Sequence, residues 1–331
     1  MRPAQGSFGR EEESSSRPNQ LSAESAGTAV AQQPSAAGKG GLQSKTDMTY
    51  IWMLLPAVTL LLLIVAAPLV ILFRNSLYHL EFSKPWLTGF VGLENYQLIV
   101  DDSRFFESIW RAFIFIAESV VIELVIALFL AELLSVRIRG ISLFKSLLLL
   151  PMVLPPIVVG IMWRIIYHPT LGILNYLLSF VGLGPAWLAD PGLALHALVI
   201  TDVWQWTPFL LLMFMAGYAA VPQELYEAAQ VDGASRWHRF RFVTLPLLRP
   251  LIVIGVLFRT VDGMKVFPTI HIMTEGGPGN ASEVMNYYAY KVAFAYTNIG
   301  YSSALSFIMF LIAIVISIGM IRAARGMGAQ L

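Results

Sequence analysis

The chain has 331 residues, 56% of them hydrophobic and only 13% charged, with a formal net charge of +1 and no cysteine. The apolar fraction stands above the soluble range and the charged fraction is about half of it, which is the composition of a membrane protein with no basic domain for nucleic acid. The lack of thiols excludes a disulfide scaffold, an iron–sulfur cluster and thiolate chemistry, and leaves the redox compartment open.

Residues 1–47 are rich in Ser, Ala, Gly, Gln and Pro with scattered charge. Such a segment cannot bury enough apolar surface to offset its ordering entropy, so a disordered tail is expected. It does not have the layout of a cleaved signal peptide, because the first apolar run begins only near Tyr50 and is long enough to span. From residue 48 to 331 the chain reads as one transmembrane domain. A helix crossing the hydrocarbon core needs about 20 mostly apolar residues. Six runs qualify, near 50–73, 112–134, 146–167, 193–216, 247–271 and 302–321. The third is interrupted by Pro151, Pro155 and Pro156, and the fifth by Arg259, Asp262 and Lys265. Both assignments draw in part on the resemblance described below. The expected fold is all-α and polytopic, with six transmembrane helices.

Lys and Arg near the span ends set the expected orientation. One side gathers Lys45, Arg137, Arg139, Lys145, Arg236, Arg239, Arg241, Arg249, Arg322 and Arg325, and the other Arg74, Lys84, Arg104, Arg111 and Lys291. The tail, the loop after the fourth span and the C-terminus are therefore expected on the cytoplasmic side.

That loop, residues 222–246, is a short polar segment between two long apolar runs. Pro222 suits a first helical position, and Glu224 and Glu227 lie in or near a first turn, where the helix dipole favours carboxylates. Ala228 and Ala229 leave a smooth face for a second body. Gly233 can take the positive φ of a turn, after which Trp237, Phe240 and Val243 recur at helical spacing. The segment reads as a docking helix-turn-helix. The plain alternative is an amphipathic helix lying on the membrane surface.

Glu227-Ala228-Ala229, Asp232-Gly233-Ala234, Phe240, Val243 and Leu245-Pro246 resemble the EAA loop of binding-protein-dependent ABC import permeases at every signature position. The resemblance to carbohydrate-type permeases extends over roughly residues 50–321. It includes Phe90-Val91-Gly92-Leu93-Glu94-Asn95-Tyr96, Pro151, Pro155 and Trp163, Gly172 to Asn175, Leu257 to Pro278, and Gly300 to Ser306. Thr274-Glu275-Gly276-Gly277-Pro278 and the short end after the sixth span are similar to the maltose-permease F-type half. Arg111-Ala112 and Pro268 depart from the usual pattern. The resemblance implies a type I importer permease fold in a bacterial cytoplasmic membrane, in contact with lipid. It also implies a second homologous permease, two ATPase subunits or a homodimer of one, and an extracytoplasmic binding protein that delivers a sugar, polyol or sugar derivative. No phosphate-binding loop occurs in the chain, so no cofactor is expected here, and ATP and Mg would be bound by the ATPase. No catalytic or metal-binding set is expected, since His79, His168, His196, His238 and His271 are dispersed.

The resemblance carries an ATPase-coupling role onto Glu227, Ala228, Ala229, Asp232, Gly233 and Ala234. It carries solute contacts onto Asp202, Gln205, Trp206 and Phe209 before the loop, and Arg259, Asp262, Gly263 and Val266 after it. Arg259 and Asp262 share a helix face, and charges at that depth face a cavity or each other, so they either line the solute path or form an internal ion pair. Trp204, Trp206 and Phe209 offer ring faces to a sugar or serve as packing anchors. Trp163 and Arg164 divide in the same way between solute path and membrane interface. Glu118 and Glu123 suit a contact with the partner subunit, or a proton relay. A relay through Glu118, Asp202 and Asp262 belongs to the rival reading of an ion-coupled secondary transporter, whose inverted repeats are not visible in this chain.

Overall fold

A computed structural model describes residues 40–135 and 141–326. Residues 1–60 and 61–331 form separate units. The first contributes the opening part of α1, Gly40–Ser76. Residues 1–39 of the expected tail, together with Arg137 and Arg139, lie outside the described residues. From Gly40 onward the chain is already helical and runs into the first apolar segment.

In residues 61–331 a two-residue antiparallel ladder follows α1, with β1 (Tyr78–His79) paired to β2 (Gly89–Phe90). Then come α2 (Glu94–Val100), α3 (Ser103–Leu134), α4 (Ile141–Val153), α5 (Pro156–Ile166), α6 (Ile173–Ser179) and α7 (Ala194–Ala220). The remaining helices are α8 (Gln223–Val231), α9 (Arg236–Arg239), α10 (Leu245–Gly263), α11 (Pro268–Met273), α12 (Met285–Tyr290) and α13 (Ile299–Gly326). Five helices among the described residues are long and apolar enough to cross a membrane, and a bent pair adds a sixth crossing if counted as one span.

The bent pair is the expected third span, 146–167. Rather than one rod it is two helices meeting at 99°. Leu154 and Pro155 each precede a proline, and a residue in that position is pushed out of the α region. Pro155 accordingly sits at ψ 137°, and Pro156 opens α5 at its first position. The break exposes the Leu154 carbonyl, which accepts a 3.0 Å hydrogen bond from Gln205 Nε2 on α7. A freed backbone group at membrane depth needs such a partner.

Other ends move for similar local reasons. The second span begins at Ser103, well before the apolar run, because Asp102 caps it by accepting a bond from the Phe105 amide at 3.1 Å. The fifth stops at Gly263 and not at 271, and Pro268 starts the separate α11. At its other end α9, a five-residue π segment Phe240–Thr244 and α10 form one helical run from Arg236 to Gly263.

The interior centres on α7, which is apolar nearly all round and buries most of its length, as a helix of that pattern must. Phe115 of α3, Leu198 of α7 and Ile270 of α11 share one core, and Ala127 and Ala131 of α3 meet Leu210 and Phe214 of α7 in another. A third joins Phe105, Tyr288 and Leu305.

Polar contacts fasten the start of α3 to the segment before α13. Arg104 donates to both carboxylate oxygens of Glu283 at 2.7 and 2.8 Å, and to Asn280 Oδ1 and Tyr296 Oη at 2.9 Å. Lys291 Nζ lies 2.8 Å from the same carboxylate. Asp102 Oδ2 accepts from both Tyr288 and Tyr301 at 2.6 Å. Burial of the Glu283 carboxyl raises its pKa, but the bonds from Arg104 and Lys291 outweigh that and hold it below the ordinary carboxylate range. A depressed folded-state pKa contributes stability that is fully present above the unfolded value, about 4.3 for Glu, and is lost as pH falls through the folded value. Thermal unfolding of the detergent-solubilised chain should therefore show Glu283→Gln well below wild type at neutral pH. The gap should narrow as the pH drops below about 4. A gap independent of pH would rule out this linkage.

Candidate functional site

Two features stand out from this framework, a buried charge cluster and an exposed hairpin. The cluster centres on Arg259 of α10, whose side chain is 2% exposed. Its Nε and Nη2 donate to the two oxygens of Glu123 on α3 at 2.6 and 2.7 Å, and Nη2 donates also to Asp202 Oδ2 on α7 at 2.6 Å. Nη1 donates to Asp262 Oδ2 at 2.9 Å, and the Trp206 ring faces the guanidinium carbon at 5.3 Å. Asp262 in turn meets Lys265 Nζ at 3.2 Å. Arginine's flat fork suits such simultaneous bidentate and monodentate pairing, which an ammonium could not reproduce.

Close helix approach makes this possible. Gly255, one turn before Arg259, lies against Met213 and Leu210 of α7, where a β-carbon would collide with their side-chain ends. Small residues at such crossings let two membrane helices draw together.

The eight residues expected along a solute path divide in two. Asp202, Gln205, Arg259 and Gly263 are buried. Asp202 and Arg259 pair with each other, Gln205 holds the Leu154 carbonyl, and Gly263 packs on Ile116. Trp206, Phe209, Asp262 and Val266 keep exposed surface, with Phe209 edge-on to Phe258 at 6.3 Å. Arg259 and Asp262 are thus paired within the chain. Glu123 is fully buried on Arg259, and Glu118 has His196 Nδ1 at 2.8 Å, so both carboxylates expected to face a partner subunit have partners in this chain. Arg164, considered as a snorkelling side chain, donates to the Ile272 carbonyl at 3.0 Å. Glu123 is the member of the cluster that sequence reasoning assigned instead to a partner-subunit contact, and its signal was a carboxylate, one of three, within the largely apolar run 112–134.

The hairpin consists of α8 and α9. Pro222 precedes α8 as its cap and is not the first helical residue. The turn closes by Gly233 N–H to Gln230 O at 3.0 Å and Ala234 N–H to Ala229 O at 2.9 Å. This pair of bonds is a Schellman motif, which needs a left-handed residue at Gly233, found at φ +75°. Ser235 then caps α9 by accepting from the His238 amide at 3.3 Å. Tyr226 Oη and Thr244 Oγ1, 3.0 Å apart, tie α8 to the π segment. Glu227, Ala228, Asp232 and Gly233 are exposed and Ala229 and Ala234 half-buried. Val231 and Trp237 are 89% and 63% exposed, so the hairpin presents a mixed apolar and acidic surface.

The family model described as "Binding-protein-dependent transport system inner membrane component" matches residues 123–327. The chain is 36% identical over 277 residues to the trehalose/maltose transport system permease protein MalF of Thermococcus litoralis, covering 82% of this chain and 92% of that protein. It is 33% identical to the sulfoquinovosyl glycerol transport system permease protein SmoG of Agrobacterium fabrum, covering 83% and 90%. It is 35% identical to the trehalose transport system permease protein SugA of Mycobacterium tuberculosis, covering 77% and 81%. Its fold is similar to a chain in the crystal structure of a bacterial alginate ABC transporter in complex with an alginate pentasaccharide-bound periplasmic protein. That TM-score is 0.75 at 20% identity, over 87% of this chain and 98% of that one.

Removing Arg259 would leave Glu123 and Asp202 buried without a counter-charge. Arg259→Gln should therefore cost about 3–5 kcal/mol of stability, the range for a broken buried pair. Adding Glu123→Gln should recover part of the loss. A double-mutant cycle of thermal unfolding reads this directly, and additive effects of the two substitutions would show that they do not interact.

Proposed function

The chain belongs to the family of binding-protein-dependent transport system inner membrane components, and on that premise we propose how its hairpin and charge cluster serve import. It is a permease subunit of an ABC importer. Its solute is a sugar, polyol or sugar derivative, the class for which the three relatives above are named. An extracytoplasmic binding protein delivers that solute, a second homologous permease completes the pathway, and ATP and Mg are bound by two ATPase domains on the cytoplasmic side. Both termini lie on that same side, as the distribution of Lys and Arg favours.

The single observation that carries the coupling role is the continuity of Arg236–Gly263. A body that grips α8 moves α9 through the Schellman turn and the Tyr226–Thr244 contact, and α9 is the same helical run as the one bearing Arg259. Glu227 and the apolar Val231 and Trp237 face outward, where a partner could hold them. Closure of the ATPase domains would thus tilt α10 against α3 and α7. The π segment within the run, a form that recurs at functional sites, is the place where such a tilt would be accommodated.

Within the cluster the roles separate. Trp206, Phe209, Asp262 and Val266 keep the exposed surface needed to touch a passing solute, and Asp202, Gln205, Arg259 and Gly263 hold them in place. Arg259 already donates to three carboxylates, so it is not an anion receptor in this conformation. The same pairing weighs against an ion relay through Asp202 and Asp262. Because a solute shifts an alternating-access equilibrium only by its preference for one state, tight binding here is not required.

Two measurements test this. In vesicles holding the assembled transporter, uptake should require ATP and the soluble binding protein and should survive an ionophore; collapse of uptake on adding the ionophore would favour ion coupling instead. Gly233→Val should keep ATP hydrolysis while uptake falls about tenfold or more, the scale of the 1–2 kcal/mol penalty for a β-carbon at positive φ. Nothing lies within 4 Å of a β-carbon at Gly233, so that cost is conformational and not a clash. Undiminished uptake by the variant would refute the lever.

A further inference from the structure

Between the hairpin and the ends of α3, α4 and α7 lies a cleft of about 580 Å³, within the usual size of a small-molecule site. Three cations line it, Lys145, Arg236 and Arg239, against one carboxylate, Glu132. That carboxylate already accepts from Tyr218 Oη at 2.9 Å, and Arg236 reaches it only at 3.9 Å. Arg239 Nε is buried with no hydrogen-bond partner, and Lys145 has no carboxylate at ion-pair distance among the described residues. A buried donor left unpaired is costly, so a ligand that accepts from it is favoured.

We propose that this cleft binds the phosphate headgroup of an anionic phospholipid. Three considerations select a lipid over a soluble anion. The cleft opens where α3 ends at Leu134 and α7 at Ala220, which is the headgroup level of helices that cross a bilayer. Its walls include Leu134, Met215 and Phe240, apolar surface that suits a glycerol and acyl stem and that a free phosphate would leave bare. Basic pockets between spanning helices are a recurrent headgroup site, each Lys or Arg contributing about 1 kcal/mol toward an anionic surface. The site also holds a position of consequence. Arg236 and Arg239 are on α9, and Thr244, whose hydroxyl meets Tyr226, lines the cleft. A headgroup seated there would brace the hairpin against the spans, so lipid composition would tune coupling. The inference does not depend on the identity of the solute.

The full-length chain in a neutral detergent, titrated with fluorescent phosphatidylglycerol and phosphatidylcholine of identical acyl chains, tests this. Phosphatidylglycerol should bind more tightly by about fivefold per cation, or somewhat over a hundredfold for three. Combining Lys145→Gln, Arg236→Gln and Arg239→Gln should abolish the preference. The charge-keeping set Lys145→Arg, Arg236→Lys and Arg239→Lys should retain most of it and guards against misfolding, and Arg322→Gln on α13 should leave it intact. Equal binding of the two lipids by wild type would overturn the proposal, as would a preference that survives the triple Gln set or is lost with Arg322→Gln. Full displacement of phosphatidylglycerol by millimolar inorganic phosphate would also overturn it, making the cleft a site for soluble phosphate.

Discussion

A guanidinium withdrawn from water on a membrane helix must be met by carboxylates at hydrogen-bond distance, and Arg259 is met by three. An isolated charge at that depth costs about 2.5–3.5 kcal/mol even on insertion scales, so the pairing is a condition of the fold and not an embellishment. Because Glu123, Asp202 and Asp262 come from α3, α7 and α10, satisfying one side chain brings three helices into a single register. The small residue at 255 and the bidentate geometry of the fork are both consequences of that demand. Three carboxylates against one Arg leave the cluster short of positive charge, and Lys265 on the exposed side of Asp262 supplies one further cation.

The same constraint bears on the lever proposed for the polar hairpin. From Arg236 to Arg259 the chain rises about 35 Å along one helical run at 1.5 Å per residue. Under that proposal a displacement at the exposed end is delivered to a helix whose other end is pinned by ion pairs. A flexible linker at the π segment would dissipate it. A turn closed by two backbone bonds and a hydroxyl contact does the reverse. The proline break in the third span fits this scheme as well, since Gln205 ties the break to α7, the neighbour on which the cluster rests.

How much of this was legible in the sequence depends on the kind of signal each residue carries. Apolar runs located the spanning helices, with help from the family resemblance at the third and fifth, because the length of hydrocarbon to be crossed sets a minimum that few other segments reach. Their ends were less legible. The second span gained its first turns from an Asp102 cap that hydropathy does not register, and the fifth lost its last to Pro268. The turn at Gly233 could be anticipated from residue type alone, whereas the fusion of α9 with α10 through a π segment could not, because nothing local distinguishes a π turn from an α one. Glu123 and Glu283 were misjudged or passed over for one reason. Each carboxylate has its cation far along the chain, 136 residues away at Arg259 and 179 away at Arg104.

By itself, then, the order of residues determined that this chain spans a membrane, that it carries a polar loop between its fourth and fifth crossings, and that its family is that of importer permeases. Those properties are written in contiguous stretches, as hydrophobic length and as a motif of fixed spacing. The tertiary structure alone decided which charges neutralise one another, that Gln205 serves a broken helix, and that three cations from two helices remote in sequence converge on one cleft. Such facts depend on the distance between side chains remote in sequence, and that distance exists only once the helices have packed.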